Sequence, residues 1–105
     1  MGKELKPKDD NELVPIDDKT SIRRGLLRKH TNKAGIEMWA YDYWEIFLRG
    51  ETTRKFKIYE PTDYDRIRKS VNNTNIVFID IKGWLINKRD IHAISPKRIG
   101  YKEIK

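Results

Sequence analysis

The sequence predicts an α+β fold: a mostly antiparallel sheet of five or six strands, open or closed into a small barrel, with one helix inserted before the final hairpin. Three features carry this expectation. β-Branched and aromatic residues concentrate in several stretches after residue 20, separated by Gly-, Asn- and Pro-containing breaks. Only one later stretch, near residues 63–71, has clear helical spacing and matching end signals. Asn75 to Ile94 reads as a hairpin, with Lys82-Gly83 as a two-residue turn in which Gly can take the positive φ that tight hairpins need.

Residues 1–20 alternate charge signs and include Pro7 and Pro15, so they are expected to form a flexible N-terminal arm ahead of a single basic domain over 21–105. Within the arm Leu13, Val14 and Ile16 are a short apolar cluster able to add an edge strand, with Pro15 limiting its ladder bonds. Residues 21–35 fit two conformations. A helix capped by Ser21 would carry Ile22, Leu26 and Leu27 on an apolar stripe. A strand from Ile22 to His30 is favoured, because Gly25 costs a helix about 1 kcal/mol and Thr31–Gly35 has hairpin composition.

Residues 36–49 hold five of the eleven aromatics. In a strand, Trp39, Tyr41 and Tyr43 share one face and Trp44, Ile46 and Leu48 the other, with a bulge or twist near Asp42–Trp44 expected to swap the buried side. Helical spacing also fits, through Ile36, Trp39, Tyr43 and Phe47, but aromatic density favours the strand. Gly50-Glu51 turns the chain into a half-buried strand over Arg54–Tyr59. Pro61 closes that strand. Thr62 then caps a helix from Asp63 to about Val71, with Tyr64, Ile67 and Val71 on one stripe and charges placed to suit its dipole. In the hairpin, pairing Ile81 with Trp84 sets Ile79 opposite Ile86 and adds Val77 to one apolar face. Ile76, Phe78, Asp80, Leu85 and Asn87 form a mixed second face. Residues 96–105 read as a short strand or a basic tail.

The 105 residues allow one domain with a modest core, and 37% charged residues require that core to be built economically. No cysteine is present, which removes disulfides, thiolate catalysis and Cys-ligated zinc from this chain and suits a reducing cytoplasm, the expected location. No apolar run approaches membrane-spanning length, so no membrane partner is expected. Net charge is +7, unevenly spread: residues 1–20 hold four Lys and six Asp or Glu, leaving 19 basic and 10 acidic residues on 21–105. A small domain with that surplus attracts polyanions at long range.

His30 and His92 lie in no metal-ligand spacing, and Ser21, Ser70 and Ser95 lie in no nucleophile motif, so neither cofactor nor metal is expected. Asp80-Ile81-Lys82 at the end of an apolar strand resembles the (D/E)xK half-motif of PD-(D/E)xK nucleases. That resemblance implies Mg²⁺ held by Asp80 and an upstream carboxylate, with Asp63 or Asp65 the near candidates; it is a minor alternative, since Asp80 and Lys82 also fit the solvent side and turn of a hairpin. Phe78 to Ser95, FIDIKGWLINKRDIHAIS, is similar to the late part of LytTR-type DNA-binding domains, where a strand pair ends in a hydrophobic-Asn step followed by isoleucines. The likeness covers under a fifth of the chain, is one residue short between Phe78 and Asn87, and lacks the family's loop, so it is read as shared hairpin geometry.

Two functional expectations follow. Exposed Trp39, Tyr41 and Tyr43 beside Arg23, Arg24, Arg28, Lys29, Arg54, Lys55 and Lys57 would stack unpaired bases and neutralise phosphates, making a small, non-enzymatic nucleic-acid-binding accessory or regulatory protein for which single-stranded DNA or RNA is the favoured partner. Alternatively an exposed sheet face or strand edge binds a protein, as in an adaptor or inhibitor. The compact, Lys- and Ile-rich, cysteine-free composition resembles small accessory proteins of prophages and plasmids.

Overall fold

A computed structural model of the chain describes residues 10–50 and 54–104. Among them are nine strands and one α-helix, an α+β fold whose sheets are antiparallel, and no pairing among the described residues closes a barrel. The strands run β1 (Leu13–Pro15), β2 (Ser21–Arg23), β3 (Arg28–Thr31), β4 (Glu37–Leu48), β5 (Arg54–Ile58), β6 (Phe78–Ile81), β7 (Trp84–Asn87), β8 (Ile91–Ile94) and β9 (Arg98–Glu103); helix α1 (Pro61–Asn72) lies between β5 and β6. Five of the strands, β3, β4, β5, β8 and β9, belong to one sheet, within the five or six strands expected, and β1–β2 and β6–β7 are separate two-stranded pairs. The segment over 21–31 is extended, as favoured, but a 3₁₀ turn at Arg24–Leu26 splits it. Two compact units divide the chain, with boundaries after Tyr41 and after Arg98.

In the first unit β1 pairs with β2, setting Val14 opposite Ile22. Part of the N-terminal stretch is thus ordered by its apolar cluster: Ile16 and Ile22 are buried, as is Ala40 on β4. Residues 1–9 lie outside the described residues. The early half of β4 pairs with β3, placing Lys29 opposite Trp39 and Arg28 opposite Ala40. The Asn32 side chain accepts hydrogen bonds from the Ala34 and Ile36 amides, holding the connecting loop, and Gly35 takes the positive φ that this loop requires.

In the second unit the later half of β4 pairs with β5 on one side and β8 on the other. Trp44, Glu45 and Ile46 are buried in succession, while Tyr43 and Phe47 beside them are half-buried. Against β8 the register shifts between Phe47 and Leu48. The core is Ile46, Ile58, Ile67, Ile79 and Ile81, supplied by β4, β5, α1 and β6. Each such side chain contributes about 1.5–3 kcal/mol by leaving water. The Trp44 and Tyr64 rings stack at 4.4 Å and seat the helix.

Helix α1 begins two residues before the expected Asp63, with Glu60 as N-cap and Pro61 in its first turn. Proline's fixed φ suits that position and its missing N–H costs nothing there, so Pro61 starts the helix as well as ending the strand. The expected stripe is correct: Ile67 is buried and Tyr64 and Val71 pack against the core. The β6–β7 register is also as expected, Ile81 opposite Trp84 and Ile79 opposite Ile86. Val77 departs from it. The ladder starts at Phe78, so Val77 lies outside the strand and is exposed, and Trp84 beside the turn is exposed too.

Candidate nucleic-acid interface

The expected site residues fall into two clusters, one in each unit. In the first unit the Arg24 and Gly25 amides donate to the carbonyls of Glu12 and Asp10, which fixes the 3₁₀ turn. The Arg24 guanidinium then stands over the Trp39 ring, 5.2 Å from its centroid. Lys29 is exposed opposite Trp39, Arg28 is exposed opposite Ala40, and Arg23 is half-buried. Trp39 and Tyr41 are half-buried. Gly100 leaves room for the Tyr41 ring: a Cβ there would lie 2.6 Å from two of its carbons. Trp39 also lines an open groove of about 440 Å³ with Val14, Ile16, Asp17, Lys102 and Ile104.

In the second unit the alternate face of β4 carries Tyr43, Glu45 and Phe47, and β5 sets Lys57 opposite Glu45 and Lys55 opposite Phe47. Lys57 Nζ lies 5.2 Å above the Tyr43 ring. Lys82, in the β6–β7 turn, lies 5.3 Å above Tyr59, whose ring is 6.2 Å from Tyr43 and tilted by 42°. Tyr59 and Lys82 were not among the sequence-selected residues. In the sequence Tyr59 is the end of a strand and Lys82 a turn residue; no local pattern pairs them. Arg54 begins β5, and its side chain lies outside the described residues.

Glu45 was also missed. Its side chain is 8% exposed and pairs with Lys55 at 2.8 Å and Arg98 at 3.2 Å. Its amide donates to Ser95 Oγ, while the Ser95 amide donates to the Glu45 carbonyl. The Lys55 hydrogen bond, reinforced by the charges of Lys55, Arg98 and Lys57, holds the Glu45 carboxyl below its ordinary pKa despite the opposing effect of burial. Lys55 is therefore engaged with a carboxylate instead of standing open on the face. Lys82 is perturbed differently. Desolvation lowers the pKa of Lys82 although the residue as a whole is exposed; nearby Asp63 opposes the shift and Lys57 adds to it.

An exposed cation over a ring contributes about 0.5–1 kcal/mol. A planar group stacked on the same ring would contribute about 1–3 kcal/mol.

The nuclease-like triplet is occupied otherwise. Asp80 Oδ1 accepts the Gly83 amide at 3.1 Å, closing the turn, and Asp63 sits 3.7 Å from Arg66. Among the described residues no three His, Cys, Asp or Glu side chains are grouped to hold a metal, and no helix is long and apolar enough to cross a membrane. His30 and His92 are exposed, His30 with its ring 4.9 Å from that of Tyr101.

The fold and site define a small, basic, β-rich protein bearing aromatic rings topped by cations. Comparison with protein-family models, curated proteins and solved structures gave no match.

Proposed function

We propose that this protein binds single-stranded nucleic acid without acting on it chemically, as an accessory or regulatory protein of the cytoplasm. The observation that carries the reading is the recurrence of one arrangement: Arg24 over Trp39, Lys57 over Tyr43 and Lys82 over Tyr59. Unpaired bases offer the faces such rings stack on, whereas a duplex hides them, so single strands fit best. The cysteine-free, Lys- and Ile-rich composition supports the cytoplasmic placement and a role on a prophage or plasmid.

Fluorescence anisotropy with labelled single-stranded and duplex oligonucleotides across a salt series tests this. Two phosphate contacts in either cluster, from Arg24 and Lys29 in the first unit or from Lys57 and Lys82 in the second, give log K against log salt a slope of about −1.4 for a single strand. Trp39→Ala weakens single-strand binding by roughly tenfold and leaves the weaker duplex binding unchanged. Weak binding that is flat with salt refutes the assignment.

A second reading, a protein partner for an adaptor or inhibitor, has its own observation. On the outer face of the β6–β7 hairpin Phe78 is 52% and Leu85 70% exposed, on strands bordered by the cations Lys82 and Arg89. A matching partner is an acidic segment with apolar side chains. Leu85→Ser that leaves oligonucleotide affinity unchanged but abolishes binding of an acidic amphipathic peptide supports it; unchanged peptide binding removes it.

A further inference from the structure

We propose that Tyr43, Lys57, Tyr59 and Lys82 form a site in the second unit for two successive nucleotides of a single strand, each Tyr receiving a base and each Lys a phosphate. This rests on the single-strand reading above and adds a location and two residues to it. Three observations carry the inference.

The first is geometric. Tyr59 lies one step beyond the Ile58–Trp44 pair, which brings its ring beside Tyr43. Carbon atoms pack at about 3.5–4.0 Å, so a base inserted between two rings needs them at least about 7 Å apart and parallel. At 6.2 Å and 42° these rings admit none between them. Each ring therefore takes its base on the side where its lysine now stands, and two neighbouring bases meet two neighbouring rings.

The second is conformational. Lys82 has φ 52° and Gly83 φ 84°, the signature of a type I′ hairpin turn. A residue with a long side chain is disfavoured there and Asn is the natural occupant. A strained lysine whose ammonium reaches a tyrosine ring marks a position used for its charge.

The third is electrostatic. Among the described residues around this face, Lys55 and Arg98 are bound to Glu45, whereas Lys57 and Lys82 stand over rings. Asp63 is the acidic neighbour of Lys82 and Lys57 a like-charged one, so an incoming phosphate adds a second anion beside two cations.

Lys82→Asn tests the site without threatening the fold, because it removes the ammonium and gives the turn its preferred residue. The urea midpoint is expected to stay or rise, while affinity for a labelled single-stranded decanucleotide falls about fivefold and the salt slope flattens by about 0.7. Tyr59→Leu, which keeps apolar volume at a half-buried position, is expected to lower that affinity roughly tenfold. Parallel arms with DNA and RNA decamers report which backbone is preferred. If the wild type binds and Trp39→Ala weakens it, but Lys82→Asn binds like the wild type, this site is overturned and the broader reading stands. If the wild type binds no oligonucleotide, both fall.

Discussion

Replacing Glu45 by Gln is expected to loosen the fold and tighten nucleic-acid binding at once. Glu45 is almost sealed, 8% exposed, whereas its partners Lys55 and Arg98 are 48% and 49% exposed. Hydrogen bonds to a charged group contribute about 1.5–3 kcal/mol each when both sides are buried. Here the two cations remain half in water and are screened, which reduces each pairing toward the 0–1 kcal/mol of surface ion pairs, or at most about 2 kcal/mol for both. Gln keeps the shape and one acceptor oxygen but turns an amide NH₂ toward one of the cations, so that sum is the expected loss in urea unfolding. The effect on binding has the opposite sign. The cation that faces the new NH₂ becomes available to phosphate, and one more contact steepens the salt slope for a single strand by about 0.7. Anisotropy titrations from low to moderate salt, beside urea melts of the same samples, read both quantities. An unchanged slope, or binding that weakens in step with stability, would show that these cations do not face the ligand.

Ile46→Ala, at a site with no exposure on the central strand, is expected to cost about 2–5 kcal/mol in denaturant unfolding. Gly100→Ala drives a Cβ against the Tyr41 ring and costs about 1–3 kcal/mol; combined with Tyr41→Ala the two losses are less than additive, because the second change removes the clash. The Glu45 carboxyl has a lowered pKa in the folded protein, so its contribution to stability is complete above the ordinary carboxyl range and is lost as pH falls through the lowered value. Urea midpoints followed into acid should therefore drop less steeply in Glu45→Gln than in the wild type.

The hairpin was legible because two local rules agree: Lys82-Gly83 sets a two-residue turn, and a side-chain period of two then assigns every partner from Ile81–Trp84 to Phe78–Asn87. Extending the period to Val77 failed, since a pattern does not say where hydrogen bonding stops. The stripe of Tyr64, Ile67 and Val71 was legible for the same reason, while the helix start was misplaced because proline fits both the end of a strand and the first turn of a helix. A bulge near Asp42–Trp44 was expected from the crowding of rings on both faces. In the structure both faces are covered at Trp44, Glu45 and Ile46, the charged one because Lys55 and Arg98 pair with Glu45, while Tyr43 is half-buried.

Composition and pattern alone determined an α+β chain with a basic surplus, one helix and an aromatic-rich central strand, because charge, periodicity and turn chemistry are local properties that add along the sequence. Which cations remain available to a ligand was decided only by tertiary structure. Lys55 and Lys57 are near-equivalents on paper, yet Lys55 neutralises Glu45 and Lys57 covers Tyr43. Lys82, more than twenty residues from Tyr59, reaches its ring only because the hairpin packs where it does. Electrostatic and stacking contacts fall off within a few ångströms, so their partners are set by the fold and not by distance along the chain.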